Sequence, residues 1–105
     1  MARGRRRRGR PAGVDPPPDA TLNLRGRRVA EVVVLLPDFL AEAGRSGCRR
    51  VKVIHGKGTR SHDGHSVVRE AVTARLESLR SEGRIRDFRR GNVGEGGAGV
   101  TIVWL

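Results

Sequence analysis

The chain has 105 residues, with 22 Lys and Arg against 11 Asp and Glu, for a net charge of +11. That length holds one small domain with a modest core, and that charge draws the protein to polyanions through counterion release. Three aromatics (Phe39, Phe88, Trp104), one cysteine (Cys48) and no long apolar run exclude a base-stacking platform, an internal disulfide, a CxxC zinc knuckle and a membrane span.

Residues 1–19 read as a disordered Arg/Pro-rich arm. Arg3, Arg5, Arg6, Arg7, Arg8 and Arg10 form a basic cluster, and Pro16-Pro17-Pro18 favours an extended linker. Six arginines so close together grip phosphates; the plainer alternative is a solubilising tail. No hydrophobic segment follows them, so the arm is not a secretory signal. With a single unpaired cysteine, a reducing, cytoplasmic setting is expected.

Residues 20–105 read as the folded domain. Thr21-Leu22-Asn23-Leu24 alternates as a half-buried strand does. Val29, Val32, Val33, Leu36, Leu40 and Ala43 recur at helical spacing, with Gly44 and Gly47 as stops. Pro37 falls inside that helix, removes a backbone bond to Val33 at about 3 kcal/mol, and predicts a kink. Val51-Lys52-Val53-Ile54 is a second strand.

A second helix is expected from Ser66 as N-cap, with Val68, Ala71, Val72, Leu76 and Leu79 on one side and Gly83 beyond its end. Arg86 to Arg90 read as a strand around Phe88, Asn92 to Gly99 as a glycine-rich turn, and Val100 to Leu105 as the last strand. The order β-α-β-α-β-β predicts an α/β two-layer sandwich: a mixed four-stranded sheet with both helices on one face.

Between the second strand and second helix lies His55-Gly56-Lys57-Gly58-Thr59-Arg60-Ser61-His62-Asp63-Gly64-His65, which holds all three histidines. A strand entering a helix through a glycine-rich turn with a lysine suits a phosphate, because backbone N–H groups and the helix dipole face the anion. A right-handed first crossover makes the first two strands parallel neighbours. Arg25-Gly26 then lies beside His55-Gly56, with Asn23, Arg25 and Lys52 turned away from the core.

Together, Leu22-Asn23-Leu24-Arg25-Gly26, the helix after it, Val53-Ile54-His55-Gly56-Lys57-Gly58-Thr59 and the ending Glu95-Gly96-Gly97-Ala98-Gly99-Val100-Thr101 resemble the Smr (small MutS-related) domain over about residues 20–105. That domain closes second-branch bacterial MutS homologues and also stands alone. The resemblance implies a sandwich like the C-terminal domain of translation initiation factor three. It further implies nucleic-acid binding, endonuclease activity on DNA or RNA in many members, and action at stalled ribosomes in some.

The family's motifs usually read L-D-L-[HR]-G and H-G-x-G, and they fall here on Leu22 to Gly26 and His55 to Gly58. Asn23 stands where aspartate is usual. An amide is no general base and a weaker metal ligand, so binding without cleavage stays open. The stretch Arg60 to His65 resembles the longer loop of some stand-alone members.

His55, with an ordinary pKa of about 6.5, can move a proton in phosphodiester cleavage, or it can cap the second strand by hydrogen bonding. Lys57 would stabilise charge on the phosphoryl oxygens, while Gly56, Gly58 and Thr59 line the phosphate loop. Arg25 and Arg60 suit phosphate clamps, with Gly26 beside them, and Asn23 could orient a water or phosphate.

His62, Asp63 and His65 are too few and too close for a resident metal site, so none is assigned. A divalent cation, Mg or Mn, could arrive with the substrate phosphate. The expected function is an Smr-type endonuclease on DNA or RNA; the alternative is a non-catalytic DNA-, RNA- or ribosome-binding module. No membrane partner is expected, and nothing assigns an oligomeric state.

Overall fold

The computed structural model describes residues 18–56 and 67–105. Strand β1 (Ala20–Asn23) leads to helix α1 (Val29–Arg45), strand β2 (Arg50–Ile54), helix α2 (Val67–Ser81), strand β3 (Asp87–Arg90) and strand β4 (Val100–Trp104), with two short 3-10 turns between β3 and β4. The sheet order is β1-β2-β4-β3. β1 runs parallel to β2, and β4 is antiparallel to both β2 and β3. The expected two-layer sandwich is the fold observed.

Both helices cover one face. From α1 come Val32, Leu36, Leu40 and Ala43; from α2, Val72, Leu76 and Leu79; they meet Leu24, Val51, Val53 and Val103 of the sheet. Each fully buried aliphatic side chain contributes roughly 1.5–3 kcal/mol over its exposed state. Two residues of the expected α1 stripe fall outside this set. Val33 is 53% exposed because the 100° step of the helix carries it past the buried stripe, whereas Val29, 38% exposed, points along that stripe but is the first residue of the helix.

Helix α1 begins where Glu31 accepts a 2.9 Å hydrogen bond from the Arg28 backbone N–H, a bond that also holds the Glu31 carboxyl below its ordinary range. The helix runs unbroken through Pro37. The bond that proline removes would have ended on the Val33 carbonyl, and Val33 is on the exposed side of the helix. The proposed N-cap of α2, Ser66, and residues 1–17 of the arm lie outside the described residues.

Away from the helices, Arg89 grips Glu95 with two guanidinium nitrogens at 2.8 and 3.1 Å and lies 5.3 Å from the centroid of the Trp104 ring. Trp104 is thus half-buried under an arginine. Cys48 is half-buried against the core. Among the described residues no helix is long and apolar enough to cross a membrane.

Candidate nucleic-acid interface

Parallel pairing carries the carboxyl ends of β1 and β2 to one edge, with Asn23 opposite Ile54. The Leu24 N–H continues the ladder, donating to the Ile54 carbonyl at 2.6 Å. The chain then turns: Arg27 N–H reaches back to the Leu24 carbonyl at 3.0 Å, with Gly26 at φ +82°. Positive φ at the third residue of such a turn is a conformation glycine adopts without strain, so Gly26 sets where Arg25 emerges.

Arg25 and Gly56 are direct neighbours across the two turns. A Cβ placed on Gly56 would sit 3.6 Å from Arg25 Cγ and 3.9 Å from its Nε. The guanidinium stem thus passes over the turn that follows β2. Asn23 is exposed, and its Oδ1 accepts the Arg25 backbone N–H at 3.0 Å. That bond uses one lone pair of the oxygen to hold the turn and leaves the amide nitrogen to donate.

His55 continues the core-facing alternation of Val51 and Val53 and is only 5% exposed. Its Nδ1 lies 2.9 Å from the Gly56 carbonyl, and its Nε2 lies 2.9 Å from the Thr101 hydroxyl. A carbonyl only accepts, so Nδ1 carries the proton and Nε2 accepts from Thr101. Burial pushes the imidazole below its ordinary pKa; the bond to Gly56 opposes this, and the Arg69 charge reinforces it. A neutral ring of this tautomer is equipped to take up a proton, not to release one.

The glycine-rich segment closes the edge. Backbone N–H groups of both His55 and Gly56 donate to the Gly99 carbonyl at 3.0 Å. Glu95, the carboxylate nearest this edge in that segment, is committed to Arg89 and to the Asn92 N–H at 2.9 Å, with its pKa lowered chiefly by Arg89. Among the described residues no group of three His, Cys, Asp or Glu side chains converges as a metal site.

Beyond His55 a cleft of about 400 Å³ opens between α2, β3 and the start of β4, lined among others by Arg69, Phe88, Arg90 and Thr101. The structure thus brings Asn23, Arg25, Gly26, His55 and Gly56 together. Lys57, Gly58, Thr59 and Arg60, with His62, Asp63 and His65, lie outside the described residues, as do Arg5, Arg6, Arg7 and Arg8. Arg69, Arg90 and Thr101 were not singled out as site residues from sequence. Only Thr101 carries a local signal, since it closes the glycine-rich motif.

The family model of the Smr domain matches residues 22–105, from the start of the first motif to the end of the chain. The chain belongs to the Smr family. It is 42% identical over 84 residues to a protein named Endonuclease MutS2 from Symbiobacterium thermophilum, and 39% identical over 84 residues to one from Geobacillus kaustophilus. Each match covers 80% of this chain but 10% of the relative, so the chain spans about a tenth of their length.

Among solved structures, the Smr domain of Thermus thermophilus MutS2 superposes with a TM-score of 0.67 at 36% identity, covering 82% of this chain and 96% of that domain. The stand-alone small MutS-related protein YdaL from Escherichia coli gives 0.71 at 31% identity, covering 85% of this chain and 66% of that one.

Proposed function

We propose that this Smr domain binds DNA or RNA along the carboxyl edge of its sheet and cleaves a phosphodiester there. The observation that carries the reading is the Arg25–Gly56 contact, which makes one cationic, glycine-lined site out of two distant stretches. Arg25 clamps a phosphate, with Gly26 and Gly56 permitting close approach of the strand. His55 Nε2, released from Thr101, takes the proton of the attacking hydroxyl or water.

Lys57, Gly58, Thr59 and Arg60 complete the phosphate loop, Lys57 stabilising the developing charge, and the arginines at positions 5 to 8 add non-specific affinity. Relatives named as endonucleases support the cleavage step. The cytoplasm is the proposed setting.

A second reading, a DNA-, RNA- or ribosome-binding module without cleavage, is favoured by Asn23. Its oxygen already accepts the Arg25 N–H, and an amide provides no base. The two readings separate on incubating the protein with supercoiled plasmid and with structured RNA, each in Mg, Mn and EDTA. Cleavage by the wild type that is lost in His55→Ala, with binding retained, supports the enzyme. Binding without cleavage supports the module, and a gain of cleavage in Asn23→Asp would then identify the missing group.

A further inference from the structure

We infer that the cleft between α2 and β3 is a subsite for one nucleotide of the bound strand, with Arg69 and Arg90 holding its phosphate. The inference rests on the nucleic-acid reading above and adds where the strand goes after it leaves Arg25.

The cleft has a built polar floor. His55 and Thr101 are 5% and 7% exposed, are hydrogen-bonded to each other, and both line it. Phe88 supplies an apolar side, and Arg69 and Arg90 line the same space. Such a mixture matches a sugar-phosphate unit: apolar contact for the ring, the Thr101 oxygen to accept from a sugar hydroxyl, and planar cations for the phosphate. The volume of about 400 Å³ is near the lower end of the roughly 300–1,000 Å³ typical of ligand sites, room for one nucleotide and not for a duplex. The charge of Arg69 already reaches the His55 ring, so an anion between the two arginines sits within range of the proton acceptor.

The spacing along the edge agrees. The carboxyl ends of β1, β2 and β3 all point the same way, and β1 and β3 are separated by three strand gaps. At about 4.8 Å per gap, Arg25 and Arg90 leave the sheet roughly 14 Å apart. One strand of nucleic acid advances about 3.4 Å per phosphate along a helical axis, so the edge spans about four nucleotides. Arg25 holds one end of that stretch, and the cleft takes the other.

NMR of the full chain tests this by following the His55 ring and the Thr101 methyl during titration with uridine monophosphate, inorganic phosphate and a single-stranded octanucleotide. The expected result is saturable movement of both signals with the mononucleotide and the octanucleotide. The double variant Arg69→Gln/Arg90→Gln should weaken both about tenfold or more. Arg25→Gln should weaken only the octanucleotide, and unchanged melting temperatures should show that both variants are folded.

Octanucleotide binding that depends on Arg25 but ignores Arg69 and Arg90 would overturn the subsite while leaving the nucleic-acid reading intact. Mononucleotide or phosphate binding in the cleft without octanucleotide binding would overturn the assignment to a strand. No binding of any probe by the wild type would overturn both.

Discussion

The Thr101 hydroxyl lies 2.9 Å from His55 Nε2, joining the start of β4 to the residue that follows β2 inside an almost fully buried pair. This bond satisfies an imidazole nitrogen that faces little water. Thr101→Val keeps the shape but orphans that nitrogen, at a cost of about 1–3 kcal/mol. In a domain of this size the melting temperature should fall by roughly 4–8 °C per kcal/mol, while Thr101→Ser, which retains the hydroxyl, should lose less. Calorimetry on the two variants checks the order; equal stability of wild type and the valine variant would remove the bond from the energetics.

The His55 pKa sets a pH dependence. Its folded value lies below the ordinary 6.5, so between these values the unfolded chain binds more protons than the folded one. Stability is then full above about pH 6.5 and declines as pH falls towards the folded value. The carboxylates with shifted values, Glu31, Asp87 and Glu95, are all lowered and act in a more acid range. Urea denaturation should show wild-type stability falling from pH 7.5 to 5.5, with His55→Gln flatter over the same interval. Parallel curves would mean that His55 is not buried neutral.

The glycine-rich segment makes a paired prediction. Gly96 has φ +117°, and a Cβ there would meet Val100 Cγ2 at 2.5 Å. Gly94 has no such φ, and its Cβ would meet only Asn92 Oδ1 at 3.6 Å. Gly96→Ala should cost on the order of 1–3 kcal/mol or more and loosen the Gly99 carbonyl that holds His55 and Gly56. Gly94→Ala should be within about 0.5 kcal/mol of the wild type. Chemical denaturation of both variants decides it.

The order of elements is legible in the sequence because the apolar period switches cleanly between two and 3.6, with glycines at most boundaries. Val33 marks where that reading stops. Adjacent valines at 32, 33 and 34 all satisfy an apolar count, and only the packing of α1 against the sheet selects Val32. Asn23, Arg25 and His55 are legible as a cluster because parallel strands must end together. Arg69 and Arg90 are not, since each looks like an ordinary surface charge until α2 and β3 enclose the same cleft. The inward direction of His55 follows from its alternation with Val51 and Val53, but its partner Thr101, 46 residues away, is not legible.

The most direct measurement is the salt dependence of nucleic-acid affinity for the wild type and Arg25→Ala. Each phosphate contact adds about 0.7–0.9 to the slope of log affinity against log salt. If the turns after β1 and β2 form one phosphate site, Arg25→Ala should weaken binding and lower that slope by about one contact on DNA or RNA of any sequence. Affinity and slope unchanged in Arg25→Ala would contradict a nucleic-acid site at this edge.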